Sequence, residues 1–321
     1  MPLSVTVRVP ATTANLGPGF DCLGMALRLY NTLTLSVADK TTVEVAGEGA
    51  EELPRDDSNL VLRAASRLAE LAGKPRLRWS LRQENRIPLG RGLGSSSAAI
   101  IAGLFACNKL LTLGFSSNQL LEIATGIEGH PDNVAPALFG GLTVCARGEG
   151  DQVRCLRTRP DPKFIVLMIV PDLHVVSTED SRRRLPEEYS RADCVFNLSH
   201  AALPLAALEQ GRHDLLCDAM QDRLHQDFRL QDEAEIRELF KVVFEFKGCA
   251  PVLSGSGPSL AAFCDAVNSR LERRLRQCLR TSGLSATLRW LHPALRGVHE
   301  VPASAPRREP GAAGGGELDL V

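Results

Sequence analysis

The stretch Pro88-Leu89-Gly90-Arg91-Gly92-Leu93-Gly94-Ser95-Ser96-Ser97-Ala98 constrains the fold more than any other part of the chain. It follows Leu77, Trp79 and Leu81, which alternate with polar residues as in a half-buried strand. It runs directly into Ile100, Ile101, Leu104 and Phe105, an apolar helix that starts within 95–98. Glycines at alternate positions remove Cβ atoms and let a backbone approach an anion closely. The unpaired N–H groups and positive end of the next helix then face that anion. Serine hydroxyls can donate to phosphate oxygens or complete the shell of a Mg²⁺. The loop reads as a phosphate cradle. It is not a Walker A loop, which ends in Gly-Lys-Ser/Thr. It is not the dinucleotide fingerprint either, because three serines replace the final spacing. A flexible Gly/Ser linker is the bland alternative, and the Ile-Pro-Leu opening and the apolar helix behind the serines argue against it.

A chain of 321 residues exceeds what one core usually organises, so two domains are expected. Lys and Arg (37) balance Asp and Glu (38), which argues against sequence-independent binding to nucleic acid or anionic lipid. No apolar run approaches the roughly 18 residues of a spanning helix. Leu3, Val5, Val7 and Val9 alternate as a strand, not as a leader peptide. The nine cysteines (22, 107, 145, 155, 194, 217, 249, 264 and 278) form no CxxC pair. They read as buried reduced thiols of a cytoplasmic protein rather than a disulfide framework or a zinc site.

Leu33, Leu35 and Val37 mark a second strand, and Leu60, Ala64, Ala65, Leu68 and Leu71 a helix capped by Ser58 and ended by Gly73. Ser116 and Gln119 form a capping box for a helix carrying Leu120, Ala124 and Ile127. The polar, proline-bounded segment 148–162 has no apolar period and marks a junction between domains at 1–155 and 160–298. Residues 164–170 form a strand buried on both faces. Helices follow at 201–209, 214–220 and 233–246, then short strands at 250–253 and 260–263 around a Gly/Ser turn. Residues 301–321 carry too few apolar side chains to fold and read as a disordered tail.

The loop resembles the phosphate loop of the GHMP kinase superfamily, Pro-x-Gly-x-Gly-Leu-Gly-Ser-Ser-x-Ala. Two further stretches are similar to the homoserine kinase branch of that superfamily. They are Pro10-Ala11-Thr12-Thr13-Ala14-Asn15-Leu16-Gly17-Pro18-Gly19-Phe20-Asp21 and Glu128-Gly129-His130-Pro131-Asp132-Asn133-Val134-Ala135-Pro136. Leu253-Ser254-Gly255-Ser256-Gly257-Pro258 resembles a fourth superfamily element, so four motifs stand in family order. The resemblance implies an α+β fold of two domains, the first like ribosomal protein S5 and the second ferredoxin-like, with the site between them. It implies phosphorylation of the L-homoserine hydroxyl by ATP with Mg²⁺, on the route to threonine, by a cytoplasmic homodimer. The sequence departs from the superfamily at Ser97, where a residue without a hydroxyl is usual, and at Ser256, where alanine is frequent. After about Arg289 it no longer resembles the family ending.

By resemblance, residues 88–98 and Asn59 bind ATP, and Ser96 and Glu128 hold the Mg²⁺. Two or three protein oxygens suit magnesium, which keeps water and phosphate elsewhere. Taken alone, Glu128 reads equally as a solvated residue at a helix end, where a negative charge is unfavourable, and Asn59 as a first-turn helix residue. For the zwitterionic substrate, Asp21 suits the ammonium or hydroxyl, and Asn15, His130 and Asn133 can orient either. Arg182 and Arg229 align with family positions and suit the carboxylate, because an arginine fork matches two oxygens. The run Arg182-Arg183-Arg184 also reads as a solvated face, and His225 as a packed or capping histidine. Asp21 is the one candidate base. A loose transition state needs little early deprotonation, so a dedicated base is not required. A GHMP kinase for another small alcohol and a nucleotide-binding protein without turnover are the rival readings.

Overall fold

The computed structural model describes residues 3–150, 152–173 and 178–302. In chain order the first part contains β1 (Val5–Ala14), β2 (Leu23–Val37), β3 (Thr42–Gly47), α1 (Leu60–Leu71), β4 (Trp79–Asn85), α2 (Ser95–Leu110), α3 (Ser117–Glu128), α4 (Pro131–Phe139), β5 (Leu142–Arg147) and β6 (Val153–Thr158). The second contains β7 (Ile165–Pro171), α5 (Thr178–Arg183), α6 (Arg191–Gln210), α7 (Leu216–Ala219), α8 (Gln226–Leu230), α9 (Ala234–Phe244), β8 (Cys249–Leu253), β9 (Leu260–Cys264), α10 (Ser269–Ser282) and β10 (Ala286–Leu291). A two-residue strand, β11 (His299–Glu300), closes the described chain.

The first sheet runs β11-β1-β2-β4-β3, with β5 also on β2 and β6 on β5. Fifteen-residue β2 serves two neighbours on one edge because residues 32–37 pair with β4 and residues 23–25 with β5. Helices α1, α2 and α4 cover this sheet. Helix α2 buries Ile100, Ile101, Leu104 and Cys107, and α1 buries Val61, Leu62, Ala65 and Leu68. The expected capping box on α3 is present, with Ser116 accepting from the Gln119 N–H and Gln119 accepting from the Ser116 N–H.

The second sheet runs β10-β7-β9-β8, antiparallel throughout. With α9 between β7 and β8 and α10 between β9 and β10, this is the ferredoxin-like βαββαβ arrangement. The apolar run of β7 has a geometric cause. Val166, Met168 and Val170 face the core shared with the first sheet, while Ile165, Leu167 and Ile169 face a second core under α9 and α10. A strand with period-two side chains between two cores must be apolar at every position. Helix α10 closes the second core with Leu271, Leu275 and Leu279 on one stripe.

Four expectations differ from the structure. Segment 148–162 contains β6, an edge strand whose Arg154 and Leu156 are exposed, so it shows no buried stripe. The cap of α1 is Asn59, whose side chain accepts from the Val61 N–H; the Ser58 hydroxyl donates to Asp56 instead. Helix α6 begins at Arg191, ten residues before the expected start at 201. Cys22 and Cys194 are exposed, whereas Cys107, Cys145, Cys249 and Cys264 are buried. Beyond β10 the chain returns to the first sheet and to α4: the Arg28 N–H donates to His292 O, Val298 to Ala137 O in α4, and Val301 to Thr6 O, each within 2.9 Å. Residues 303–321 of the expected tail lie outside the described residues.

Candidate active site

The loop 90–94 is held from behind by β1 and by the β8–β9 turn. The Thr12 N–H of β1 donates to Leu93 O at 3.0 Å. Ser254, in the β8–β9 turn, donates to Gly92 O at 2.6 Å. Two loop glycines are required by these contacts. A Cβ on Gly92 would lie 2.1 Å from Ser254 O, and one on Gly94 would lie 1.9 Å from Thr12 Oγ1. The alternating glycines thus let β1 and the β8–β9 turn close around the loop, a close approach that the sequence suggests only for an anion. Gly94 caps α2 at φ +68° without a side-chain hydrogen bond, so among the described residues no side chain occupies the N–H groups that open the helix.

Glu128 ends α3 directly opposite that helix start. Its two carboxylate oxygens accept from Ser96 Oγ at 2.8 Å and from Ser97 Oγ at 2.7 Å. The unfavourable charge at a helix C-terminus is thereby turned toward the favourable start of α2. Ser97, one of the two departures from the superfamily pattern, is buried and fixes this carboxylate.

The β1–β2 loop forms the facing wall. Asn15, Leu16 and Asp21 all have left-handed backbones, at φ +69°, +46° and +58°. The Asn15 amide holds this shape by donating to Gly255 O at 2.9 Å and accepting from the Asp21 N–H at 3.0 Å. The Asp21 carboxylate accepts from Arg182 of α5 at 2.7 Å. Burial works against the charge of Arg182, but Asp21 outweighs it and raises the guanidinium pKa. From α4, Asn133 accepts from the Thr12 hydroxyl at 2.7 Å, and the Nδ1 of His130, at the helix N-cap, meets Asp132 Oδ1 at 2.5 Å. Burial disfavours the imidazolium of His130, yet Asp132, with smaller contributions from Asp21 and Glu128, raises its pKa above the ordinary value. Arg229 of α8 donates to Gly255 O at 3.1 Å, and burial, assisted by nearby Arg182, lowers its pKa to about 10.

These groups share one cavity of about 220 Å³ between the two sheets. It brings together Asn15, Asp21, Gly90, Arg91, Gly92, Gly94, Ser95, Ser96, Glu128, His130, Asn133, Arg182 and Arg229 from the sequence-derived set. Leu93, Ser97 and Ala98 face the interior instead. Pro88, Leu89 and Asn59 do not line it. Asn59 is 2% exposed, and its amide is taken up by Val61, Pro54 and Gln83, so its place here is that of a buried cap. Asp132, Gly255 and Ser256 also line the cavity, although the sequence reading assigns none of them a site role. Asp132 was legible, lying between His130 and Asn133 in a segment already marked.

One wall of the cavity therefore offers backbone N–H groups and hard oxygens, and the other offers two guanidinium groups with carboxylates beside them. That arrangement suits a polyanion at the first wall and a small zwitterion at the second.

Residues 59–141 match the family described as the GHMP kinases N terminal domain. Homoserine kinase of Desulfitobacterium hafniense is 44% identical over 283 residues, which is 88% of this chain and 95% of that protein. Homoserine kinase of Clavibacter michiganensis is 47% identical over 272 residues, 83% of this chain and 84% of that protein. Among solved structures, homoserine kinase from Cytophaga hutchinsonii superposes with a TM-score of 0.80 at 26% identity, covering 94% of this chain and 98% of that one. Mevalonate diphosphate decarboxylase from Staphylococcus aureus shares the fold, with a TM-score of 0.66 at 15% identity over 94% of this chain and 99% of that one.

Proposed function

The chain belongs to the homoserine kinase family of the GHMP kinases, and from that premise we propose how its cavity performs the family reaction. The enzyme transfers the terminal phosphoryl group of ATP to the side-chain hydroxyl of L-homoserine, giving O-phospho-L-homoserine for threonine biosynthesis. The observation that carries the site assignment is the single cavity joining the Gly90–Ser96 wall to Asp21, Arg182 and Arg229.

The loop N–H groups and the start of α2 receive the ATP phosphates, an assignment supported by the absence of a side-chain cap on Gly94. Ser96 and Glu128 would hold Mg²⁺. Their oxygens lie 2.8 Å apart on the cavity wall, and hard oxygen donors of this kind suit the ion. Bound there, the ion would neutralise charge on the phosphates as the bond to the leaving oxygen breaks. Arg182 and Arg229 clamp the homoserine carboxylate, and Asp21 takes the ammonium or the hydroxyl. Asn15, His130 and Asn133 fix the orientation. Asp21 already accepts from Arg182, which favours an orienting role over a proton-accepting one. Phosphoryl transfer through a loose transition state asks mainly for positioning and charge neutralisation, and these residues supply both.

The same reading places the enzyme in the cytoplasm as a homodimer without nucleic-acid or membrane partners. No described helix is long and apolar enough to cross a membrane. Light scattering of the purified protein tests the dimer. The function is tested by ADP release with ATP and Mg²⁺, with and without L-homoserine. Homoserine-dependent release is the expected result, and stronger turnover of mevalonate or galactose would overturn the assignment.

A further inference from the structure

His225 lies at the N-terminal edge of α8 and is fully buried, yet the reaction as described makes no use of it. Its Nε2 is 2.8 Å from Gly17 O in the β1–β2 loop. A carbonyl only accepts, so Nε2 carries the proton. Its Nδ1 is 3.2 Å from Arg229 Nη1, and a guanidinium only donates, so Nδ1 presents its lone pair. The two partners together define one neutral tautomer. Burial keeps the ring neutral by lowering its pKa, with Asp222 opposing and Arg229 assisting.

The neighbourhood holds the ring in place. The buried Asp222 carboxylate accepts from the backbone N–H groups of Leu224, His225 and Gln226 at 3.1, 2.8 and 2.7 Å. Phe20 stacks on the imidazole with centroids 5.1 Å apart, and the Arg229 guanidinium lies 5.2 Å from the Phe20 ring. Arg229 Nη1 has both hydrogens engaged, one on His225 Nδ1 and one on Gly255 O. Arg229 Nε is buried and has no hydrogen-bond partner among the described residues, while the side chain lines the cavity. One tine of the fork is therefore anchored, and the Nε edge carries no partner among the described residues.

We propose that His225 is a positioning residue for Arg229, its neutral Nδ1 fixing one tine of the guanidinium so that the other edge meets the substrate carboxylate. This rests on the carboxylate role of Arg229 given above. Its particular content is that the acceptor at Nδ1, rather than the donor at Nε2, controls affinity for the amino acid.

Two variants of the full-length enzyme separate the ring's ends. In His225→Asn the shorter amide can keep an acceptor near the Nδ1 position and loses the link to Gly17. In His225→Gln the longer amide can keep a donor near Nε2 and loses the acceptor facing Arg229. The expected result is a KM for L-homoserine raised about tenfold or more in the Gln variant and within about threefold of wild type in the Asn variant. The KM for ATP should stay within about twofold in both. In an Arg229→Ala background, adding His225→Gln should change the homoserine KM less than about twofold, because the group it positions is gone. The reverse order of the two variants, a parallel rise in both KM values, or full additivity with Arg229→Ala would overturn the proposal. Thermal melts identify a variant that fails to fold, and the other variant then decides. If Arg229→Ala alone leaves the homoserine KM unchanged, the carboxylate assignment itself has failed, which is a different result from failure of the His225 variants.

Discussion

Gly92 and Gly73 both adopt left-handed backbones, at φ +73° and +67°, but differ in what a side chain would meet. A Cβ at Gly92 would lie 2.1 Å from Ser254 O, whereas one at Gly73 has nothing within 4 Å. The backbone penalty is thus common to both alanine variants, about 1–2 kcal/mol, and the difference between them isolates the collision. Ser254 O is backbone in the β8–β9 turn, so the loop and turn must part by roughly 1 Å, an overpacking strain of about 1–3 kcal/mol. Gly73→Ala should then lower the melting temperature by roughly 1–3 °C and Gly92→Ala by roughly 3–8 °C, since 1 kcal/mol corresponds to about 1.5 °C in a chain of 321 residues. Gly92→Ala should also raise the KM for ATP or lower kcat by about tenfold or more, because the moved segment carries the N–H groups proposed to receive the ATP phosphates. Gly73→Ala should leave turnover unchanged. Scanning calorimetry with steady-state ADP release reads both quantities. Equal melting shifts for the two variants would refute the claim that the loop is clamped from the second sheet.

The remaining predictions concern the cavity. Glu128→Gln removes the charge proposed to hold Mg²⁺ while preserving shape, and kcat should fall about 10²-fold or more, with a higher Mg²⁺ requirement in the same assay; retention of full activity at low Mg²⁺ would sink the metal assignment. Asp21→Asn should raise the homoserine KM and leave measurable turnover; loss of kcat with an unchanged KM would indicate a base instead. The raised pKa of His130 gives a stabilisation fully present below the ordinary value of 6.5 and lost as pH rises through the folded value. The lowered pKa of His225 gives the opposite sign, stability present above 6.5 and lost as pH falls. Melts from about pH 5 to 9 on Asp132→Asn and His225→Asn should each flatten the corresponding limb, and a change on the wrong limb would contradict the pairing.

The motifs were legible in the sequence because each has a local cause. Gly94 begins a helix, Ser116 caps one, and the doubly apolar β7 announces a strand between two cores. What escaped was set by tertiary contacts. Strand β6 is an edge whose arginines face solvent, so neither period two nor apolar content marks it. The start of α6 lacks an apolar stripe because its buried face uses Asn197, whose amide reaches Pro18 O and Asp222. The resemblance sets Asn59 beside ATP; that its side chain caps α1 and bonds Gln83 is shown only by the packing of α1 on β4. The double role of the loop glycines was hidden for the same reason, since Ser254 lies 162 residues from Gly92.

Backbone strain in this protein is concentrated where the two sheets meet. Of the four non-glycine residues with positive φ among those described, Asn15, Leu16 and Asp21 lie in one loop. Each costs about 1–2 kcal/mol relative to an ordinary backbone. Asn15 is offset by Gly255 O and the Asp21 N–H, and Leu16 by complete burial. Gly17 is tied to His225, and a Cβ there would lie 2.3 Å from Met220 O. Gly255, His225 and Met220 all belong to the second half of the chain. The loop that carries Asp21 therefore keeps its shape only while the halves are docked, and the same contacts anchor Arg229 and Gly92. Assembly of the substrate wall and clamping of the phosphate loop are one packing event, so substitutions at Ser254 or Gly255 should disturb ATP and homoserine affinity together, whereas His225→Gln separates them.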